Sequence, residues 1–138
     1  MKEDWKELIV LLCSICDSCE DGHLNSYGES FFAAHKMFED IKDSVESFPD
    51  LIQETYCGAR ELPFIPSRDI REMELAQLKI IRNGKDAAKH IKNLLINALD
   101  KAKEIDSNED VTLGEKDVLS KITGTLQQKL YFIQNYLK

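Results

Sequence analysis

Apolar residues in the middle of the chain recur at spacings of three and four, which is the period of one buried helical face. This stripe consists of Phe31, Ala34, Phe38, Ile41, Val45, Phe48 and Ile52. The pattern predicts one helix over residues 29–58, entered by a turn at Gly28 and capped by Gly58. Pro49 falls inside this helix and predicts a kink, because proline removes a backbone donor and clashes with the preceding turn.

Three further stripes of the same period predict three more long helices. Their members are Trp5, Leu8, Leu12, Ile15 and Cys19; then Ile91, Leu95, Ala98, Ala102 and Ile105; then Leu119, Ile122, Leu126, Leu130, Ile133 and Leu137. The first of these helices is expected to end near Gly22, and Thr112 with Glu115 forms a capping-box pair at the start of the last. All four helices therefore have a face that must be buried.

A short helix is predicted between the second and third long helices. Pro63 and Pro66 mark the connecting segment, and Ser67 is a candidate N-cap for a helix that carries Ile70 and Met73. Four long helices with one long connection predict an all-α fold, a four-helix bundle with a short helix in that connection.

Composition is consistent with a single domain over residues 1–138. The chain is 43% hydrophobic and 31% charged, as in ordinary globular proteins, and is too short for two average domains. No apolar run approaches the roughly 20 residues that cross a bilayer, and the first residues, MKEDWKE, lack the order of a signal peptide. We therefore expect a cytoplasmic protein with no membrane partner.

Two pairs of candidate metal ligands lie on the side of the second helix opposite its apolar stripe. His35 and Glu39 are one turn apart, and so are Asp50 and Glu54. At about 1.5 Å per residue the pairs are about 16 Å apart, so one ion cannot touch both in one chain. An antiparallel second copy would bring the pairs together at a two-fold interface. The alternative is a plain solvated surface, which is the usual place of charged residues.

A longer motif includes these ligands. The spacing H-x-N-x-x-G-x-x-F-F-x-x-H-x-x-F-E, followed by D-x-x-x-E, is formed by His23, Asn25, Gly28, Phe31, Phe32, His35, Phe38, Glu39, Asp50 and Glu54. It resembles the Dps family of ferritin-like mini-ferritins, and the resemblance extends over nearly the whole chain. Cys57, Gly58 and Pro63 resemble the family's helix end and connection, and QQKLYFIQNYL its last helix.

The resemblance implies a fold, a site and an activity. It implies a ferritin-like bundle in which His23, His35 and Glu39 come from one subunit and Asp50 and Glu54 from its two-fold mate. It also implies a hollow homododecamer that acts as a ferroxidase, oxidising ferrous iron with hydrogen peroxide at a di-iron or mono-iron centre and storing the ferric product. Such a protein protects against oxidative damage. A nucleoid-binding protein and a catalytically impaired helical assembly module are the alternatives.

Three positions depart from the family pattern. Glu39 stands where the family more often has aspartate, so its carboxylate reaches one methylene further. Leu24 and Tyr131 each occupy a place where a tryptophan is frequent. Both changes remove aromatic bulk that is usually close to the iron.

The net charge of the chain and the distribution of its charged residues indicate which partners it can bind. A net charge of −7 and the lack of a lysine-rich tail argue against DNA binding, because holding phosphates needs clustered lysine or arginine. Lysines near His90 are expected to form a solvated face that includes this histidine. Four acidic residues, in contrast, cluster at the junction of the third and fourth long helices. Relatives of this fold have three-fold channels there, so the candidate iron-entry residues are Asp106, Glu109, Asp110 and Asp117.

The cysteines are expected to be small packing residues. Cys13, Cys16 and Cys19 lie three residues apart in a predicted helix, so the first and last point about 240° apart and the three thiols cannot bind one ion. A redox or metal role for Cys57 or any other thiol is the less favoured alternative, and without a secretory signal a disulfide framework is not expected.

Overall fold

The computed structural model describes residues 1–138, and every regular element in it is helical. The α-helices are α1 (Lys2–Leu24), α2 (Phe31–Val45), α3 (Phe48–Ile52), α4 (Ser67–Leu75), α5 (Gly84–Asp106) and α6 (Leu113–Tyr136). A π-helical segment, Gln53–Gly58, directly continues α3. The predicted all-α class is confirmed.

One apolar core joins the long helices. Helix α1 packs against α2 and α5, and α6 packs against the same two helices, while α4 crosses α1. The predicted stripes supply most of this core: those of α1 and α5 are fully buried, and so are six of the seven members of the central stripe. The remaining one, Phe31, is half-buried. The apolar period therefore identified the packed faces correctly.

The prediction of one helix over residues 29–58 is wrong in its continuity. Helix α2 ends at Val45, α3 starts afresh at Phe48, and the chain then winds as a π-helix from Gln53. Pro49 lies in the first turn of α3, where its missing N–H has no helical partner to lose. The interruption therefore precedes the proline by one turn instead of falling on it.

The other predicted boundaries need small corrections. Helix α1 continues past Gly22 to Leu24, and Ser67 is the first residue of α4, with Pro66 as its N-cap. The capping box of α6 is present: Thr112 Oγ1 accepts the Glu115 N–H at 3.1 Å, and Glu115 Oε1 accepts the Thr112 N–H at 3.0 Å. No helix in the chain is both long and apolar enough to cross a membrane.

Candidate functional site

The turn between α1 and α2 brings His23 and His35 together. The end of α1 is closed by side chains that bond its last carbonyls: Ser26 Oγ donates to Gly22 O at 2.6 Å, and Asn25 Nδ2 donates to Asp21 O at 2.7 Å. Gly28 then adopts φ +85°, a left-handed conformation that glycine takes at little cost. The chain reverses here, so the last turn of α1 faces the second turn of α2.

Each of the two histidines is held by the backbone of the other. His23 Nδ1 lies 3.1 Å from His35 O, and His35 Nδ1 lies 3.1 Å from His23 O. Their rings are stacked with centroids 3.6 Å apart and planes 23° from parallel. The Phe31 ring lies 5.0 Å from that of His35. The two side chains are thus fixed relative to each other by main-chain atoms.

These bonds determine which ring nitrogens carry protons. A carbonyl oxygen can only accept, so Nδ1 must be the donor in both rings. In the neutral form each Nε2 then keeps its lone pair, the state in which imidazole binds a metal ion. A histidine pair with Nδ1 anchored to the backbone and Nε2 unprotonated is chemically suited to metal binding.

Glu39 lies one helical turn after His35 and is exposed. Glu39 and His23 line the same cavity of about 200 Å³, which is also bordered by Glu20 and Lys42. Lys42 Nζ donates to Glu20 Oε2 at 2.8 Å, and this hydrogen bond lowers the pKa of the Glu20 carboxyl. Lys42 is therefore committed to Glu20. The nearest cation to Glu39 is the exposed Lys36, at 3.9 Å.

Asp50 and Glu54 lie on other elements, in α3 and the π-helical segment, and both are exposed. Asp50 lines a different cavity, of about 360 Å³, together with Cys13 and Glu74. No three histidine, cysteine, aspartate or glutamate side chains of the chain converge closely enough to hold a metal ion. The structure thus brings His23 and His35 together, with Glu39 beside their cavity, and leaves Asp50 and Glu54 apart from them.

The four acidic residues predicted to line an iron-entry channel are all exposed near the α5–α6 junction. Asp106, at the end of α5, accepts a hydrogen bond from Lys116 at 3.1 Å. The Asp110 carbonyl accepts one from Arg60 at 2.7 Å, whereas its carboxylate makes no ion pair, and the same is true of Glu109 and Asp117. Three of the four carboxylates are therefore free of basic partners within the chain.

The expectation of a solvated His90 is wrong. Only 8% of its surface is exposed, and Nε2 is buried with no hydrogen-bond partner. The lysines that flank it do point to solvent, but position 90 itself faces inward with Ala87, Ile91 and Leu94. Its spacing of three from Ala87 and of four from Leu94 was the sequence signal for burial. All four cysteines are free, with Cys19 and Cys57 buried and Cys13 and Cys16 half-buried.

Glu74 and Arg60 were not recognised from the sequence. Glu74, in α4, is 3% exposed and lines the cavity of about 360 Å³ that Asp50 also lines. Arg60 binds both carboxylate oxygens of the fully buried Glu115, at 2.8 and 3.0 Å. No local pattern marks either contact, because each depends on how distant helices pack.

Comparison with protein-family models found no match for this sequence, and comparison with curated proteins found no relative.

Proposed function

We propose that this protein is a ferritin-like ferroxidase of the Dps type, in which ferrous iron is oxidised at a site shared by two subunits. The observation that carries the proposal is the reciprocal anchoring of His23 and His35, each by its Nδ1 on the other's carbonyl at 3.1 Å. A hydrogen bond from Nδ1 to a backbone carbonyl is one of the common ways in which a protein presents Nε2 to a metal ion.

The fold is consistent with this proposal. Helices α1, α2, α5 and α6 each contact two of the others, which is the contact pattern of a four-helix bundle. The short α4 lies in the long connection between the second and third members, as in ferritin-like proteins with one crossover connection. We therefore propose a ferritin-like bundle with a short helix in that connection.

A second copy of the chain completes the proposed site. One chain supplies His23, His35 and Glu39, and an antiparallel copy supplies Asp50 and Glu54. Three exposed apolar side chains lie close to the histidine pair along the chain: Leu24, Tyr27 and Phe32 are 69%, 72% and 83% exposed. Large exposed apolar residues that lie near one another are typical of an interaction surface. A homododecamer is the assembly that the resemblance to the Dps family implies.

Imidazole nitrogen and carboxylate oxygen suit iron in both oxidation states, and added negative charge favours the ferric ion. In the proposed reaction two ferrous ions each lose one electron. One hydrogen peroxide molecule accepts both electrons and two protons and leaves as two water molecules. Glu39, Asp50 and Glu54 stabilise the higher charge of the ferric product, which is then stored inside the particle.

The proposal is tested by mixing two inactive variants. His35→Ala and Asp50→Ala should each abolish rapid ferrous oxidation, followed optically, while particle mass stays unchanged. Mixed dimers of the two variants should recover activity, because half of their sites contain only intact ligands. Asp40→Ala, which removes an exposed carboxylate from α2, the helix of His35, is the control and should remain active.

Absence of oxidation in the unmodified protein would overturn the proposal. Full loss without any recovery in verified mixed dimers would overturn the sharing of the site. A monomer in solution with no oxidation would favour an inert helical interaction module instead.

A further inference from the structure

Glu74 is a buried carboxyl group that lacks a sufficient partner. It lies in the last turn of α4, only 3% of its surface is exposed, and its Oε1 atom makes no hydrogen bond. Burial, a hydrogen bond with the Asp17 carboxyl and the charge of that carboxyl raise the pKa of Glu74 to about 7. Burying a polar atom without a hydrogen-bond partner is costly, so this atom points to a ligand that binds beside it.

The cavity beside Glu74 is lined by two thiols and a second carboxyl from one face of α1. Cys13, Cys16 and Asp17 are at positions i, i+3 and i+4, which places them side by side on that helix. Cys19 is not among them and lines the cavity next to His23 instead. Three cysteines of this helix cannot converge on one ion, but this set contains only two of them, and Asp17 and Glu74 take the place of the third thiol.

The charge around the cavity favours a cation. Four acidic and two basic residues line it. The acidic residues are Asp17, Glu46, Asp50 and Glu74, and the basic residues are Lys42 and Arg71. Lys42 is already bound to Glu20 at 2.8 Å. Cys13 and Cys16 are half-buried beside these carboxylates. A divalent cation bound there would offset the carboxylate charge and favour the thiolate form of both cysteines.

We propose that Cys13, Cys16, Asp17 and Glu74 form a second site, distinct from the histidine pair, that binds a thiophilic divalent cation such as Zn²⁺. Two sulfur and two oxygen ligands match the tetrahedral preference of this ion. The donors do not converge in the present conformation, so binding requires the cysteine side chains to change rotamer. Each thiol releases its proton to solvent as its sulfur binds the ion, and no atom changes oxidation state.

Cobalt(II) tests this site because it replaces zinc and reports its ligands by colour. The titration uses the full-length His35→Ala variant, so that the histidine pair does not bind the probe. Near-ultraviolet absorption from thiolate-to-cobalt charge transfer should rise to saturation at one cobalt per chain. It should be lost in His35→Ala/Cys13→Ser, and Glu74→Gln in this background should weaken binding by about tenfold or more. Cys57→Ser, a buried thiol outside the cavity, should leave it unchanged.

A second measurement covers variants that fail to fold. In the unmodified protein Zn²⁺ should slow alkylation of Cys13 and Cys16, whereas Mg²⁺, which avoids sulfur, should not. Absence of the charge-transfer band, its persistence without Cys13, or alkylation rates unaffected by Zn²⁺ would each overturn the proposal. Since the cobalt titration lacks His35, its result does not depend on whether the protein oxidises iron.

Discussion

At the scale of single residues, His90 couples the fold to pH. The ring projects from α5 and lines a cavity. The charged residues that line the same cavity are Glu7, Lys79, Asp100, Lys101 and Glu104. Burial, with a smaller contribution from Lys79, lowers the pKa of His90 below its ordinary value. The folded state therefore binds this proton less readily than the unfolded chain does. The stability that depends on a neutral His90 is fully present above the pKa of about 6.5 in the unfolded chain. It is lost as the pH falls through the lowered pKa of His90 in the folded state.

We predict that His90→Leu reduces this pH dependence, because leucine has a similar volume and cannot take up a proton. Between about pH 8 and pH 5 the free energy of unfolding should fall less in the variant than in the unmodified protein. Urea denaturation at each pH measures the difference. Ile96→Leu, on the same helix and lining the same cavity, removes no titratable group; it is the control and should leave the pH dependence unchanged. Parallel curves for His90→Leu and the unmodified protein would contradict the prediction.

The Arg60–Glu115 ion pair is a second consequence at this scale. Glu115 is fully buried and Arg60 is 26% exposed. Burial alone would raise the pKa of Glu115, but hydrogen bonds from Arg60 and Thr112 outweigh it and lower that pKa. The stability that this pair adds is present above the unfolded pKa of glutamate and is lost as the pH falls through the lowered one.

We predict that Arg60→Met destabilises the protein by about 3 kcal/mol near neutral pH, because a buried carboxylate then loses its partner. The effect should shrink as the solution becomes acidic enough to protonate Glu115. Lys116→Met breaks the exposed pair with Asp106 and should cost at most about 1 kcal/mol. Equal effects of the two substitutions in thermal or chemical denaturation would show that burial of Glu115 adds nothing.

Residue-scale features divide clearly into those that sequence can predict and those that it cannot. The capping box at Thr112 and Glu115 was predictable because its two members are three residues apart. The bond from Arg60 to the same carboxylate joins residues 55 positions apart and depends on how the π-helical end meets α6. Likewise, the motif selected His23 and His35, but only coordinates reveal that each ring binds the other residue's carbonyl.

At the scale of elements, Gly22 sets the distance between three helices. A Cβ atom at this position would lie 2.9 Å from Ala87 Cβ in α5 and 2.9 Å from Phe38 Cε2 in α2. Glycine inside a helix is normally unfavourable by about 1 kcal/mol relative to alanine. Here that cost allows α1, α2 and α5 to approach closely, next to the histidine pair.

We predict opposite effects of the same substitution at two helical glycines. Gly22→Ala should destabilise the protein by about 1–3 kcal/mol through overpacking, despite the higher helix propensity of alanine. Gly124→Ala, in α6, should stabilise it by about 0.5–1 kcal/mol, because nothing lies within 4 Å of the added Cβ atom. Thermal denaturation of both variants measures the contrast. A stabilising Gly22→Ala would show that the three helices are free to separate.

The sequence pattern predicted where the long helices lie, but it did not predict where a helix breaks or changes from α-helical to π-helical geometry. The apolar period located each long helix because burial of one face dominates the sequence pattern. The same period continues through Phe48 and Ile52, so it could not distinguish one helix from an α-helix, a break and a π-helical segment. The error matters for the site: wheel positions calculated from Glu39 to Asp50 at a constant angle per residue do not hold across the interruption.

At the scale of the whole molecule, the proposed particle needs a route for iron. Glu109, Asp110 and Asp117 are exposed without basic partners, whereas Asp106 is paired with Lys116. Three copies around an axis would create a negative region that raises the local cation concentration. Salt would weaken this effect, since exposed charges are screened over about 8–10 Å.

We predict that Asp110→Asn/Asp117→Asn slows iron uptake at low ferrous concentration and spares the maximal rate at saturation. The difference from the unmodified protein should diminish at high ionic strength. Asp69→Asn/Glu72→Gln, which removes the same charge from the exposed surface of α4, is the matched control and should have no effect. Unchanged uptake at every iron concentration and ionic strength would exclude these residues as the entry route.

The reciprocal hydrogen bonds between His23 and His35 determine how the pair responds to substitution of either residue. Each ring is anchored to a carbonyl, and a carbonyl is present whatever side chain its residue carries. Replacing one histidine therefore deletes one candidate ligand but leaves the acceptor that positions the other ring. A side-chain substitution therefore removes one ring nitrogen and leaves the backbone anchor of the other ring in place. Only a change in the path of the main chain, such as an insertion between α1 and α2, releases both rings at once.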